Sequence, residues 1–264
     1  DPPPSSERDG LHAFSSPDGI HWSRMSDGPV IPYDADVCGS FAFDSQNVSF
    51  WSQAEQQYVC YFRIWNTSHG SLRSIARTTS PDFLHWSTPV PMDPNLAGEH
   101  LYTSQTQPYF RAPHQYIALP TRFMSDRGDS TDMLFLSARP GASAYDRLFT
   151  RAFVRPGLDP DRWGNRANYA SLNVHPLNDE RMFFLHKDGS HYTLRTDGFI
   201  SIRAGEEQGT WTTPPLTFTG TNFLLNYSTT AGGSIRIEIR DEAGTPLPGF
   251  ELTNCIPLIG DRID

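Results

Sequence analysis

The sequence predicts an all-β protein, a β-propeller followed by a β-sandwich portion, and three observations carry that prediction. The frame S-P-D-x-x-H-W is written twice, as SPDGIHW at 16–22 and SPDFLHW at 80–86. Short runs of alternating apolar and polar residues recur in the same order around both copies. The 22 prolines and 20 glycines among 264 residues interrupt the chain too often for long helices.

The elements follow in chain order. NVSFWSQAEQQYVCYFRIW (47–65) reads as strand, polar hairpin and strand, LRSIARTTS (72–80) as a third strand, and STPVPM after the second frame as a fourth. The frame thus falls at the turn between third and fourth strands. Pro fixes φ on entry, Asp can accept from backbone N–H groups two residues on, and Trp pins the outer strand to its neighbours. TQPYFRAPHQYIALPTRF (106–123) and MLFLSARPGASAYDRL (133–148) restart the pattern, and NYASLNVHPLNDERMFFLHKDG (168–189) starts it a third time. Repeated four-stranded antiparallel units of this size are the sequence signature of propeller blades.

From residue 9 to about 203 the pattern supplies the tail of one blade, two full blades (about 40–92 and 100–157) and a shortened one. A ring takes about 4–8 blades, so the expected propeller, residues 1–203, is incomplete or is closed in some other way. Residues 204–264 change character. The runs NFLLNYS and SIRIEIRD alternate with period two between Gly-rich turns, and DEAGTPLPG has hairpin chemistry. This stretch is expected to form a β-sandwich-like module with too few strands for two complete sheets.

A net charge of −9 without any Lys/Arg block argues against nucleic acid or an anionic membrane as partner. No run approaches the ~18 apolar residues of a membrane span. Cys38, Cys60 and Cys255 have neither disulfide arithmetic nor zinc spacing, and Cys60 in YVCYF reads as a small buried hydrophobe. No leader is visible in the opening DPPPSSERDG, which leaves localisation open.

The segments GLHAFSSPDGIHW, AFDSQN, TSPDFLHWS, EHLYTSQTQPY and YTLRTDGFISI, in this order, resemble five-bladed β-propeller proteins related to glycoside hydrolase families 43 and 32. The tail LTFTG…LLNYSTTAGGSIRIEIRDEAGTPLPGF resembles the β-sandwich that follows the propeller in one bacterial branch of that group. The resemblance implies a carbohydrate substrate or ligand and carboxylate acid/base chemistry. Relatives carry a further N-terminal propeller portion, where the first carboxylate usually lies, and a longer sandwich.

Glycoside hydrolysis needs two carboxyl groups, roughly 5–5.5 Å apart in retaining enzymes and 6.5–9.5 Å apart in inverting ones. A propeller supplies them from the innermost strand of each blade, at the start of each unit. FAFDSQN offers Asp44, Gln46 and Asn47, GEHLYTSQTQPY offers Glu99, His100, Gln105 and Gln107, and WGNRANY offers Arg166 and Asn168. Polar residues at the start of three successive central strands are unusual, because a buried polar group without a partner is costly. Glu99 is the expected general acid, and Asp44 the base, nucleophile or modulating carboxylate. Against this stands the bland alternative, in which Asp44 caps a turn and Glu99 bonds nearby backbone. Gln46, Asn47, His100, Gln105, Gln107, Arg166 and Asn168 are candidate sugar binders. Arg122 in LPTRF can hold an acidic sugar or, more ordinarily, a salt bridge to a neighbouring strand. Asp18 and Asp82 of the two frames, and Asp197, read as turn residues.

No G-x-S-x-G, H-E-x-x-H or phosphate-loop motif occurs. No cofactor is expected, with a structural metal ion in the channel the one addition the scattered histidines allow. The leading expectation is a glycosidase acting on plant or algal polysaccharide. Its rivals are a non-catalytic carbohydrate-binding propeller with the same lining and a scaffold propeller that uses its outer rim.

Overall fold

The computed structural model describes residues 9–263. The expected start of the chain at residues 1–8 lies outside them. The fold is almost entirely β, and its helical content is limited to single turns such as Ala35–Cys38, N-capped by the Asp34 side chain on the Asp36 amide. No helix among the described residues is long and apolar enough to cross a membrane.

The largest sheet is a four-stranded antiparallel meander of Val48–Ser52, Gln57–Ile64, Ser74–Ser80 and Val90–Pro91. Its central strand Gln57–Ile64 reads as continuously apolar because both of its faces are covered. Val59 and Tyr61 pack on one face with Leu101, Tyr116, Leu134 and Leu136. Cys60, Phe62 and Ile64 pack on the other with Ile31, Cys38, Ala42 and Phe43. The period of two along the strand therefore divides one run between two cores. Full burial of each large side chain here contributes about 1.5–3 kcal/mol. Burial also pushes the Cys60 thiol up to about 12, so it behaves as the inert hydrophobe expected of it.

Both S-P-D frames fold as one turn. Asp18 Oδ1 accepts from the Ile20 and His21 amides at 2.9 and 2.8 Å, and Asp82 Oδ1 from those of Leu84 and His85 at the same distances. The other carboxylate oxygen meets the histidine ring, at 2.7 Å in the first copy and 2.6 Å in the second. The residue after Asp sits at positive φ, 75° for Gly19 and 69° for Phe83. The Trp indole donates back to its carbonyl, Trp22 to Gly19 and Trp86 to Phe83. These bonds, led by the His side chain, hold both carboxyls below the usual carboxylate range.

Beyond residue 92 the expected four-stranded regularity gives way. The hairpin formed by Ala112–Ala118 and Thr121–Met124 against Ser130–Met133 and Leu136–Ala138 is broken at Pro120, which has no N–H for the ladder. The Leu134 amide still donates to the Pro120 carbonyl at 2.9 Å, so the pairing runs on across the break. The unit expected at about 100–157 becomes two three-stranded sheets, with His100–Leu101 on one half and Gln107–Tyr109 on the other. The segment between those two strands is buried, and Gln105 within it takes φ 50°. A further three-stranded sheet comprises His175–Pro176, Arg181–Leu185 and His191–Arg195. Among the described residues no sheet closes on itself.

The chain divides into two compact units, one running to His175 with Phe183–Thr193, the other Pro176–Met182 with Leu194 onward. In the second, the sandwich expected over 204–264 is replaced by one two-stranded sheet, Tyr227–Ser228 with Asp261–Arg262, and isolated bridges such as Ile235 with Leu258. The physical reason is the missing second layer. Leu216, Phe218, Phe223 and Leu224 are each at least 65% exposed, and an alternating strand is stabilised only when its apolar face is buried.

Candidate functional site

The turn at 43–47 is held from within. Asn47 donates its amide to the Phe43 and Ser45 carbonyls, both at 3.1 Å, and its Oδ1 accepts from the Arg63 amide. Phe43 takes φ 62° to make the bend. Asn47, expected to bind sugar, thus organises the turn that leaves Asp44 and Gln46 exposed. Gly39 approaches so closely that a Cβ there would lie 2.5 Å from the Trp65 carbonyl oxygen, which brings Trp65 beside the same turn.

Asp44 pairs with Arg63 at 2.9 Å. Gln46 accepts from Gln105 Nε2, which also donates to the Ala170 carbonyl at 2.9 Å. Two sequence-predicted residues, Gln46 and Gln105, therefore meet, and Asp44 stands two positions from Gln46 on the same turn. Beside them is a narrow, closely packed cleft lined by Gln46, Phe62, Arg63, Ser74, Ile75 and Tyr102, with Thr103 and Ser104 from the buried segment between the two strands. No carboxylate lines it.

Arg63 and Arg73, which sequence reasoning missed, dominate this region. Arg63 is only 4% exposed, and its guanidinium lies 5.1 Å from the Tyr102 ring centre. Arg73 lies over Trp65 at 4.1 Å and over Tyr102 at 4.6 Å. Tyr169 packs at a tilt beside Tyr102, with ring centres 5.8 Å apart. Burial above all, with the neighbouring Arg73 charge, lowers the Arg63 pKa to about 10 despite the opposing pull of Asp44. One clue was available in the sequence. Arg63 is a lone charge inside the apolar run YVCYFRIW, where a solvated face has no room.

His100 sits next to Arg73, its Nδ1 accepting from the Arg73 amide at 3.1 Å, and burial together with Arg73 and Arg63 lowers its pKa. That favours the neutral ring, an acceptor rather than a cation.

The remaining candidates lie elsewhere in the network. Glu99 is 2% exposed. Arg147 grips it with two bonds of 2.5 and 2.9 Å, the Leu96 amide donates to it at 3.0 Å, and Arg122 stands 3.6 Å away. Arg122 is itself bidentate on Asp132, at 2.8 and 2.5 Å, which is the salt bridge to a neighbouring strand. A general acid needs an oxygen facing the leaving group, and both oxygens of Glu99 are spent on protein donors. One of those donors is backbone, the Leu96 amide, and the others are guanidinium groups. Asn168 is fully buried and donates to the Thr131 and Arg162 carbonyls at 2.7 and 2.6 Å. Gln107 is buried in its strand. Arg166 is exposed at φ 59°, and its carbonyl accepts from Lys187. Among the described residues no three His, Cys, Asp or Glu side chains converge as metal ligands would.

No family model matches the chain, and no curated protein matches it. Two solved structures are similar, one described as a BT0996 RGII complex and one as a glycoside hydrolase. Each is 12% identical at a TM-score of 0.46, over 65% of this chain and 51% of the other. The chain spans about half the length of these structures.

Proposed function

We propose that the chain is a carbohydrate-recognising β-propeller module of the glycoside-hydrolase type, with residues 1–203 as blades and 204–264 as an appended module. Face-to-face burial of the four-stranded sheet on both sides supports blade-like stacking. The observation that carries the function is the contact of Gln46 with Gln105 and of Asp44 with Arg63, with Gln46, Arg63 and Tyr102 lining one cleft. Carboxylate and amide groups match sugar hydroxyls as donors and acceptors. The cleft is too tight for a water molecule, against the ~300–1,000 Å³ of a pocket that encloses a whole ligand. A sugar would rest against its rim.

Binding of neutral and acidic oligosaccharides measured by calorimetry, with Gln46→Ala in parallel, tests this reading. Saturable binding weakened by the variant is expected; a folded protein that binds no member of the panel would sink it.

Catalysis is the second reading, favoured by one observation: Asp44 is an exposed carboxylate next to the cleft. A glycosidase requires a partner carboxyl group within about 10 Å of it. Sugar release that is abolished by Asp44→Asn and spared by Glu99→Gln would establish this reading and move the acid away from Glu99.

A further inference from the structure

Arg63 and Arg73 present more hydrogen-bond donors than the protein uses. The Nε and Nη1 atoms of Arg63 and the Nε of Arg73 are buried without an acceptor. Arg63 has one carboxylate, Asp44, bonded through Nη2, and among the described residues Arg73 has none. Both guanidiniums lie against the same Tyr102 ring, and Arg63 lines the cleft floor with the hydroxyls of Ser74, Thr103 and Ser104. Two cations sharing one partly exposed anion leave the group with net positive charge. Buried charges in proteins are ordinarily paired and hydrogen-bonded.

Resting on the carbohydrate reading above, we propose that this group is an anion subsite and that the ligand is an acidic oligosaccharide. The carboxylate of a uronic acid residue docks against the cleft and accepts hydrogen bonds from Arg63 and Arg73 as their side chains turn toward it, while Gln46 and Asp44 bind hydroxyls beside it. The chemistry fits in two respects. A carboxylate is a planar acceptor with about four lone-pair sites, suited to several guanidinium N–H donors at once. The burial that weakens the Arg63 cation in the free protein is offset when an anion arrives beside it.

The test uses the intact chain and titration calorimetry with galacturonate, glucuronate and guluronate oligosaccharides, each beside its carboxyl-reduced neutral counterpart. A sulfated galactose oligosaccharide forms a third arm. Because hydrogen bonds to charged groups contribute more than neutral ones, at least one uronate should bind about tenfold or more tightly than its reduced form. Arg73→Gln, at a half-buried position, should remove that preference, with folding verified by circular dichroism. Arg63→Lys keeps the buried charge and loses the fork, and should reduce the preference without abolishing it. Equal affinity for uronate and reduced forms would overturn the anion subsite and leave the carbohydrate reading standing. Binding of no sugar would overturn both. Arg73-dependent binding of the sulfated sugar without binding of any uronate would overturn the carboxylate assignment in favour of a sulfate ester.

Discussion

Replacing Glu99 by Gln keeps the shape of the side chain and removes one charge from a neutral group of four: Glu99, Arg122, Asp132 and Arg147. Their side chains are 3%, 18%, 18% and 10% exposed, so water compensates little of the imbalance. The variant loses the ion pair with Arg147, and its amide nitrogen faces a guanidinium donor or the Leu96 amide where an acceptor stood. Breaking a buried pair from one side typically costs about 3–5 kcal/mol. Gln retains one carbonyl oxygen for Arg147, which argues for the lower end, about 3 kcal/mol. With a urea m-value of about 2–3 kcal/mol/M, the unfolding midpoint should fall by about 1–1.5 M. Tryptophan fluorescence in urea measures it. The double variant Glu99→Met with Arg147→Met should recover much of the loss, because removing both partners leaves no orphaned cation. An unchanged midpoint for Glu99→Gln, with sugar release lost, would refute this reasoning and return Glu99 to the chemistry.

Tyr116 is fully buried, and its hydroxyl bridges Ser52 Oγ at 2.5 Å and Glu55 at 2.8 Å. Tyr116→Phe strands both partners and should cost about 1–3 kcal/mol in urea unfolding. Burial pushes the Glu55 carboxyl up, but the bonds from Arg77 and Tyr116 outweigh it and leave the pKa below its ordinary value. A depressed pKa contributes stability that is present above the unfolded-state value and is lost as pH falls toward the folded-state one. The stability gap between the wild type and Glu55→Gln should therefore narrow between about pH 6 and about pH 3 in denaturant titrations; a constant gap would refute the assignment. The two S-P-D turns are locally alike but differ in what they anchor. Trp86 packs on the core beneath its sheet, whereas Trp22 is 61% exposed. Asp82→Ala should lower the thermal midpoint more than Asp18→Ala does, and equal losses would show that the Trp contact contributes nothing.

What could be read from the sequence was local. Pro, Asp, His and Trp within seven residues specify the S-P-D turn, since every bond in it spans two or three positions, and both copies fold alike. Alternation located the strands Val48–Ser52, Gln57–Ile64 and Ser74–Ser80, because a period of two is a property of the strand itself. Polar residues at the openings of successive units also pointed to Asp44, Gln46 and Gln105. What alternation does not encode is the layer that a strand will meet. NFLLNYS and SIRIEIRD have the pattern of strands, yet without a facing sheet only two of their residues, Tyr227 and Ser228, lie in a regular strand. The partners of charged groups were equally hidden. Glu99 and Arg147 are 48 positions apart, and Arg63 reaches Tyr102 from a strand of another sheet. Whether a carboxylate is a free acid or one half of an ion pair depends on which side chains the packed sheets bring within about 3 Å of it. That distance is set by tertiary structure, since charge–charge interaction and desolvation both depend on it and on the surrounding burial.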